Sequence, residues 1–156
     1  MKNIISPNSL LLSDLEGRWY IQLTNFPMWL KGDKINPTFH YSRMVRNGIT
    51  CLYDVVTYEK RAVEKSIIGY DHPLSSDNIS FEWRGKGLLS LLKSKWEVIY
   101  LSPGKDWAVI HFEKTWFTPS GYDLISKQFS PNDAQRDAFQ KILNALNIES
   151  ILKWLR

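Results

Sequence analysis

The chain has 156 residues, 44% of them hydrophobic and 23% charged, with a formal net charge of +4. That length suits one domain, and the balance of apolar and charged residues excludes a disordered chain. Lys and Arg are spread along the chain with no basic run or RNA-binding signature, so no nucleic-acid partner is read from the charge, which serves solubility.

Taken from the N-terminus, Met1 to Pro7 offers one positive charge and then a helix breaker. It lacks the apolar core and small-residue cleavage site of a secretion leader. Residues 1-12 therefore read as an N-terminal extension, and a cytoplasmic location is expected. No stretch reaches the roughly eighteen apolar residues of a transmembrane segment.

Strand-like segments follow in quick succession, each bounded by turn residues. The first runs from Gly17 to Thr24, and a long connection from Asn25 to Pro37 follows it. The second, Thr38 to Arg46, ends at Asn47-Gly48, a strong hairpin signal. The third, Ile49 to Tyr58, carries Cys51, the single cysteine, which precludes an internal disulfide and favours a reducing compartment. Ala62 to Tyr70, Asn78 to Arg84, Lys95 to Leu101, Asp106 to Lys114 and Gly121 to Gln128 complete about eight strands.

The period then changes. Ser130 reads as an N-cap, Pro131 as a first-turn residue and Asp133 as a favourable charge at the start of a helix over 131-147. Ala134, Ala138, Phe139, Ile142, Leu143 and Leu146 form its apolar stripe, and Asn147 its stop. The tail from Ile151 to Arg156 is apolar enough to pack on the rest. Sequential strands without intervening helices exclude a parallel α/β sheet and leave a closed barrel or a two-layer sandwich. A barrel of this size holds one small ligand, and a helix with one apolar face lies outside it.

Gly17-x-Trp19, preceded by Ser13-Asp14-Leu15-Glu16, the loop from Phe26 to the pair Tyr41-Ser42, and the helix after the last strand resemble the lipocalins of the bacterial and plant type. The resemblance covers residues 13 to 148. It departs from the family at two places. Leu101-Ser102-Pro103-Gly104 stands where a Thr-Asp-Tyr-like turn is expected, and Lys127 stands where an Arg stacks on the motif Trp. The resemblance implies an all-β fold, an eight-stranded antiparallel up-and-down barrel with a C-terminal α-helix packed outside, as a single domain over 1-156. It also implies Gly17, Trp19 and Lys127 as a structural motif, with Lys127 giving a cation–π contact to Trp19.

Alternation assigns the barrel lining. With Trp19 inward at the closed end, Ile21 and Leu23 share its phase. Phe39, Tyr41 and Arg43 follow on the second strand, and Phe81 and Trp83 on the fifth. Trp96, Val98 and Tyr100 follow on the sixth, Ala108, Ile110 and Phe112 on the seventh, and Asp123, Ile125 and Lys127 on the eighth. The third and fourth strands are ambiguous, since Cys51, Tyr53 and Val55 are as apolar as their neighbours. This stripe is either solid core or the wall of a cavity. Asp123, Arg43 and Lys65 would lie inside it or near its rim, and a buried charge needs a partner. Asp123 either pairs internally, fixes the polar end of a ligand, or serves as a general acid or base.

His40 and His111 fall on the outer phase and His72 in a turn, so no metal-ligand spacing arises. Gly85-Lys86-Gly87 lacks the strand–helix context of a phosphate loop, and no cofactor is implied. Leu88 to Leu92 is placed near the closed end, as a helical turn covering the base, or as a contact for a membrane surface or partner. Phe26, Met28, Trp29 and Leu30 are too apolar for a solvated loop. They form a lid over the open mouth, a packed loop or a partner surface.

Two functions are therefore carried forward. One is the binding, sequestration or transport of a small hydrophobic or amphipathic, lipid-like molecule. The other is an isomerase, cyclase or hydrolase acting on an apolar substrate through Asp123 or a cavity Tyr. An interaction domain built on the leucine run stands third.

Overall fold

The computed structural model describes residues 7–156, so the reading of Met1 to Ser6 lies outside the described residues. The elements in order are α1 (Leu12–Leu15), β1 (Gly17–Thr24), α2 (Pro27–Leu30), β2 (Ile35–Arg46), β3 (Ile49–Lys60), β4 (Val63–Pro73) and β5 (Ser80–Gly85). Then come β6 (Lys93–Leu101), β7 (Trp107–Phe112), β8 (Gly121–Ser126), α3 (Asp133–Ala145) and β9 (Lys153–Trp154). Each strand from β1 to β8 pairs antiparallel with its neighbour in the chain, and β1 pairs with both β8 and β2. That pairing closes an eight-stranded up-and-down barrel; β9 adds a short ninth strand beside β1.

The Asn47-Gly48 turn takes positive φ at both residues (53° and 76°), as a two-residue hairpin twisted like its strands requires. Its register runs unbroken from Arg46↔Ile49 to Thr38↔Thr57. Gly17 to Tyr20 of β1 pair with β2, while Tyr20 to Thr24 pair with β8. Alternating strand directions put the turns after β2, β4 and β6 at the end where β1 begins. The connections after β1, β3, β5 and β7 lie at the other end. Leu88 to Leu92, between β5 and β6, is therefore at the open end, not the base. A place at the base would need an even number of strands before it, and five precede it.

The base is closed instead by the segment before β1. Leu10, Leu12 and Leu15 join Trp19 in the inner core. The Trp19 indole N–H donates to the Leu15 carbonyl at 2.8 Å, and Lys127 Nζ stands 4.9 Å from the Trp19 ring centre. Arg43 does not enter the barrel. It lies at this closed end, half-exposed, and forms an ion pair with Glu16, because the strand has run past the base plug by that point. Lys65 is exposed on β4, and His72 lies on that strand rather than in a turn.

Two β-bulges interrupt the inward phase. Between Ile21 and Leu23 the β1–β8 register shifts, and between Val98 and Tyr100 the β6–β7 register shifts. Leu23 and Tyr100 consequently point outward, where they join Trp107, Val109 and Leu124 beneath α3. Phe139 and Leu143 of α3 are fully buried there. Its N-cap is Asn132, not Ser130. Asn132 Oδ1 accepts from Gln135 N at 2.9 Å and Gln135 Oε1 accepts from Asn132 N at 2.8 Å, a reciprocal capping box. Asn147, at φ 62°, ends the turn, and the apolar tail packs back through Leu152 and β9.

Candidate functional site

The lower half of the barrel is solid. Tyr41 stacks on Phe39 and Trp96 at 5.9 and 5.8 Å between ring centres, and Trp96 stacks on Phe81 at 4.6 Å. With Val98, Ile110 and Ile125 these rings form a floor. Above it a cavity of about 650 Å³ opens toward the mouth. Phe39, Val56, Ile67, Trp83 and Phe112 wall it, and Phe26, Met28 and Trp29 reach over from the β1–β2 connection.

That connection folds as it does for a local reason. Pro27 sits at the first position of α2, where its missing N–H costs nothing, and Phe26 N donates to Thr24 Oγ1 at 3.0 Å. The turn drives Trp29 inward, edge-on to Tyr58 at 5.8 Å, so that only 5% of it remains exposed. Leu30 is left outside. Phe26 meets Phe112 edge-on at 5.5 Å. The rest of the rim carries Leu91, Trp116 and Phe117, which are almost wholly exposed, beside Lys93, Lys95, Lys114, Glu82 and Glu113.

Of the residues expected to meet a ligand, Phe26, Trp29, Phe39, Trp83, Phe112 and Asp123 line the cavity. Tyr41, Phe81, Trp96, Val98, Ile110 and Ile125 lie in the floor. Arg43 and Tyr100 are elsewhere, for the reasons above. His40 is exposed, and His111 lies 3.6 Å from Glu97 on the outer face.

The interior also holds two acidic residues on strands that alternation left undecided, Asp54 in the cavity lining and Asp71 outside it. Asp54 faces Tyr41 across the β2–β3 ladder, and Asp71 pairs with Leu52 across the β3–β4 ladder. With Asp123 they make three carboxyls of 4%, 0% and 1% exposure inside an otherwise apolar barrel. Trp96 Nε1 donates to Asp71 Oδ1 at 2.8 Å, and the Thr24 hydroxyl hydrogen-bonds Asp123. Asp54 Oδ1, Asp71 Oδ2 and Asp123 Oδ1 have no partner among the described residues.

Burial disfavours the charged form of all three. It pushes Asp123 up to about 7, against the Thr24 hydrogen bond that pulls it back. Burial also raises Asp54, and the adjacent Asp71 charge raises it further. Asp71 is raised by burial and drawn back by hydrogen bonds with Asp54 and Trp96. Both carboxyls of the pair therefore favour the protonated form, Asp54 the more strongly. The Tyr41 hydroxyl is raised by burial and then by the nearby Asp54, Asp71 and Asp123.

No family model matches the chain, and no curated protein matches its sequence. Solved structures do match. Insecticyanin from the tobacco hornworm Manduca sexta superposes with a TM-score of 0.71 at 11% identity, over 97% of this chain and 83% of that one. Lobster apocrustacyanin A1 superposes at 0.64 with 11% identity, over 91% and 77%. The siderocalin Ex-FABP, which functions through dual ligand specificities, superposes at 0.63 with 16% identity, over 89% and 91%. These are lipocalins, and this chain has the lipocalin fold.

Proposed function

Given a lipocalin fold with a chamber open at one end, we propose that the protein binds one small apolar or amphipathic molecule in the upper half of its barrel. The chamber itself carries this reading. A packed core leaves few voids larger than a water molecule, whereas this barrel keeps about 650 Å³ free behind aromatic walls. Burying the apolar body of a ligand there supplies about 25 cal/mol per Å², less the cost of ordering it. Sequestration or transport follows from a site that encloses its contents. The test is titration with N-phenyl-1-naphthylamine, a neutral apolar fluorophore. One molecule per chain is expected to bind, quenching Trp83; the absence of saturable binding at micromolar concentration would refute the reading.

Asp123 supports a second reading, as an acid or base acting on an apolar substrate. It lines the cavity, and its pKa of about 7 suits proton transfer at neutral pH. Replacement by Asn separates the two. A carrier keeps its affinity for the neutral probe, while an enzyme loses about 10²-fold or more in turnover.

A further inference from the structure

We propose that the polar end of the bound molecule is an organic cation, a protonated amine, received by the buried carboxyls of Asp54 and Asp123, with Asp71 backing Asp54. The inference rests on the chamber being a binding site and adds the chemistry of what fills it. Asp54 and Asp123 line the cavity from separate strands, β3 and β8, and each has a buried oxygen without a partner. Asp71 lies behind Asp54, with its second oxygen also unpartnered.

No lysine or arginine is buried among the described residues, and none of the ion pairs involves these three aspartates. Lys93, Lys95 and Lys114 stand at the exposed rim, and Lys127 lies below the base. A buried carboxyl without a cation is costly, and an apolar side chain would pack the barrel with less penalty. Three such groups in one barrel stay protonated on their own, and a cation from outside the chain would let them ionise. An anionic ligand would be repelled by whichever of these carboxyls is ionised.

The surroundings favour an organic ammonium over a metal ion. The carboxyls do not converge as a metal-ligand set; among the described residues no such group of His, Cys, Asp or Glu forms. Stacked aromatic rings instead pack beneath the acidic end. Tyr41 stands opposite Asp54 and stacks on Trp96, which holds Asp71 through its indole N–H. The ring faces that do line the chamber, those of Phe39, Trp83 and Phe112, attract alkylammonium groups, most strongly where water is excluded. An amine with an apolar body would place its charge on the floor of the chamber and its body against Phe39, Trp83 and Phe112.

The groups facing the carboxyls set the pH behaviour. Thr24 meets Asp123, Trp96 meets Asp71, and Tyr41, held neutral by burial, sits among all three; Glu82, Glu113, Lys93, Lys95 and Lys114 act only from the rim. Without a cation the carboxyls hold protons well above the ordinary carboxylate range. A bound ammonium favours the ionised form, so binding releases protons and tightens as pH rises from about 5 to about 8.

Calorimetric titration with matched probes tests this: 2-phenylethylamine, 2-phenylethanol and 3-phenylpropanoate, and octylamine, octanol and octanoate, with N-phenyl-1-naphthylamine as control. The amines are expected to bind at least tenfold more tightly than the alcohols, and the acids more weakly than either. Asp54→Asn combined with Asp123→Asn should remove the amine preference, bringing the amine and alcohol affinities of the variant within threefold of one another. In the unaltered protein, buffers of different ionisation enthalpy should report proton release at pH 6.5 for amines alone, which keeps the test independent of how the variant folds. Alcohols or acids equal to amines, with no proton release, would overturn the cation and leave the chamber standing. The cation is equally overturned if the control binds and no amine does. Failure of the control as well would remove the chamber itself.

Discussion

Trp96 donates its indole N–H to Asp71 at 2.8 Å beneath the chamber, so an aromatic ring of the floor and a buried carboxyl are fixed by one another. The bond satisfies one oxygen of Asp71, and the Asp54 carboxyl lies beside it. The Asp54–Asp71 pair is therefore built into the barrel floor.

Stability should depend on pH in an unusual direction. A carboxyl whose folded pKa is raised binds its proton more tightly folded than unfolded. Its stabilising effect is complete below the unfolded value of about 4 and is lost as pH rises to about 7, the value for Asp123. Asp54 and Asp71 shift the same way. Opposing them, Asp77 and Glu82 are held low by hydrogen bonds from Ser75 and Arg84, and their contribution is lost as pH falls below about 4. His72, lowered by burial and by Arg46, also opposes weakly below its ordinary 6.5. The melting temperature should rise from pH 8 to about 5 and fall below about 4. Asp123→Asn should stabilise the protein at pH 8, by up to about 4 kcal/mol, and have little effect at pH 5. Calorimetry across this range checks both; a melting temperature highest at pH 8 would contradict the burial of uncompensated carboxyls.

The base plug depends on Trp19. Its ring is fully buried, bonded to Leu15 and covered by Lys127. Trp19→Ala should lower stability by about 3–5 kcal/mol, the usual loss for a buried ring. Lys127→Arg should be neutral or stabilising, since a guanidinium stacks where an ammonium only points. Denaturant melts of both variants are the measurement, and an unaffected midpoint in Trp19→Ala would show that the plug holds without its ring.

The mouth should respond to Trp29 chiefly in rates. Trp29 packs over the cavity from a four-residue helical turn between strands, and a lid belongs to the least stable part of a fold. Trp29→Ala should speed release of N-phenyl-1-naphthylamine more than it lowers the melting temperature. Stopped-flow release separates the roles: equal off-rates with a large stability loss would make Trp29 core.

Much of this barrel is legible in the sequence because alternation and turn chemistry agree. Asn47-Gly48 marks a hairpin whose pairing can be followed arithmetically, and this is the signal that alternation alone missed. Once Arg46 opposes Ile49, Tyr41 must oppose Asp54, so an inward Tyr41 carries Asp54 inward with it. The turn at Arg61 and Ala62 then brings Leu52 opposite Asp71. The apolar strip of Cys51, Tyr53 and Val55 hid this, since Cys51 is itself fully buried while Leu52 beside it faces the core. The outward turn of Leu23 and Tyr100 was less accessible. It depends on bulges that fit the sheet under α3, a long-range packing requirement with no local residue signature.

Where a bound molecule sits is the most direct question, and the seven tryptophans answer it. Each indole N–H gives its own peak in a ¹⁵N–¹H correlation spectrum. Trp29 and Trp83 line the chamber and Trp96 lies in its floor, whereas Trp19 closes the base and Trp107 and Trp154 pack outside the barrel against α3. Addition of N-phenyl-1-naphthylamine to one equivalent should shift the peaks of Trp29, Trp83 and Trp96 and leave those of Trp19, Trp107 and Trp154 in place. Shifts confined to Trp107, Trp154 or the exposed Trp116, with Trp83 and Trp96 unmoved, would contradict a ligand held within the barrel.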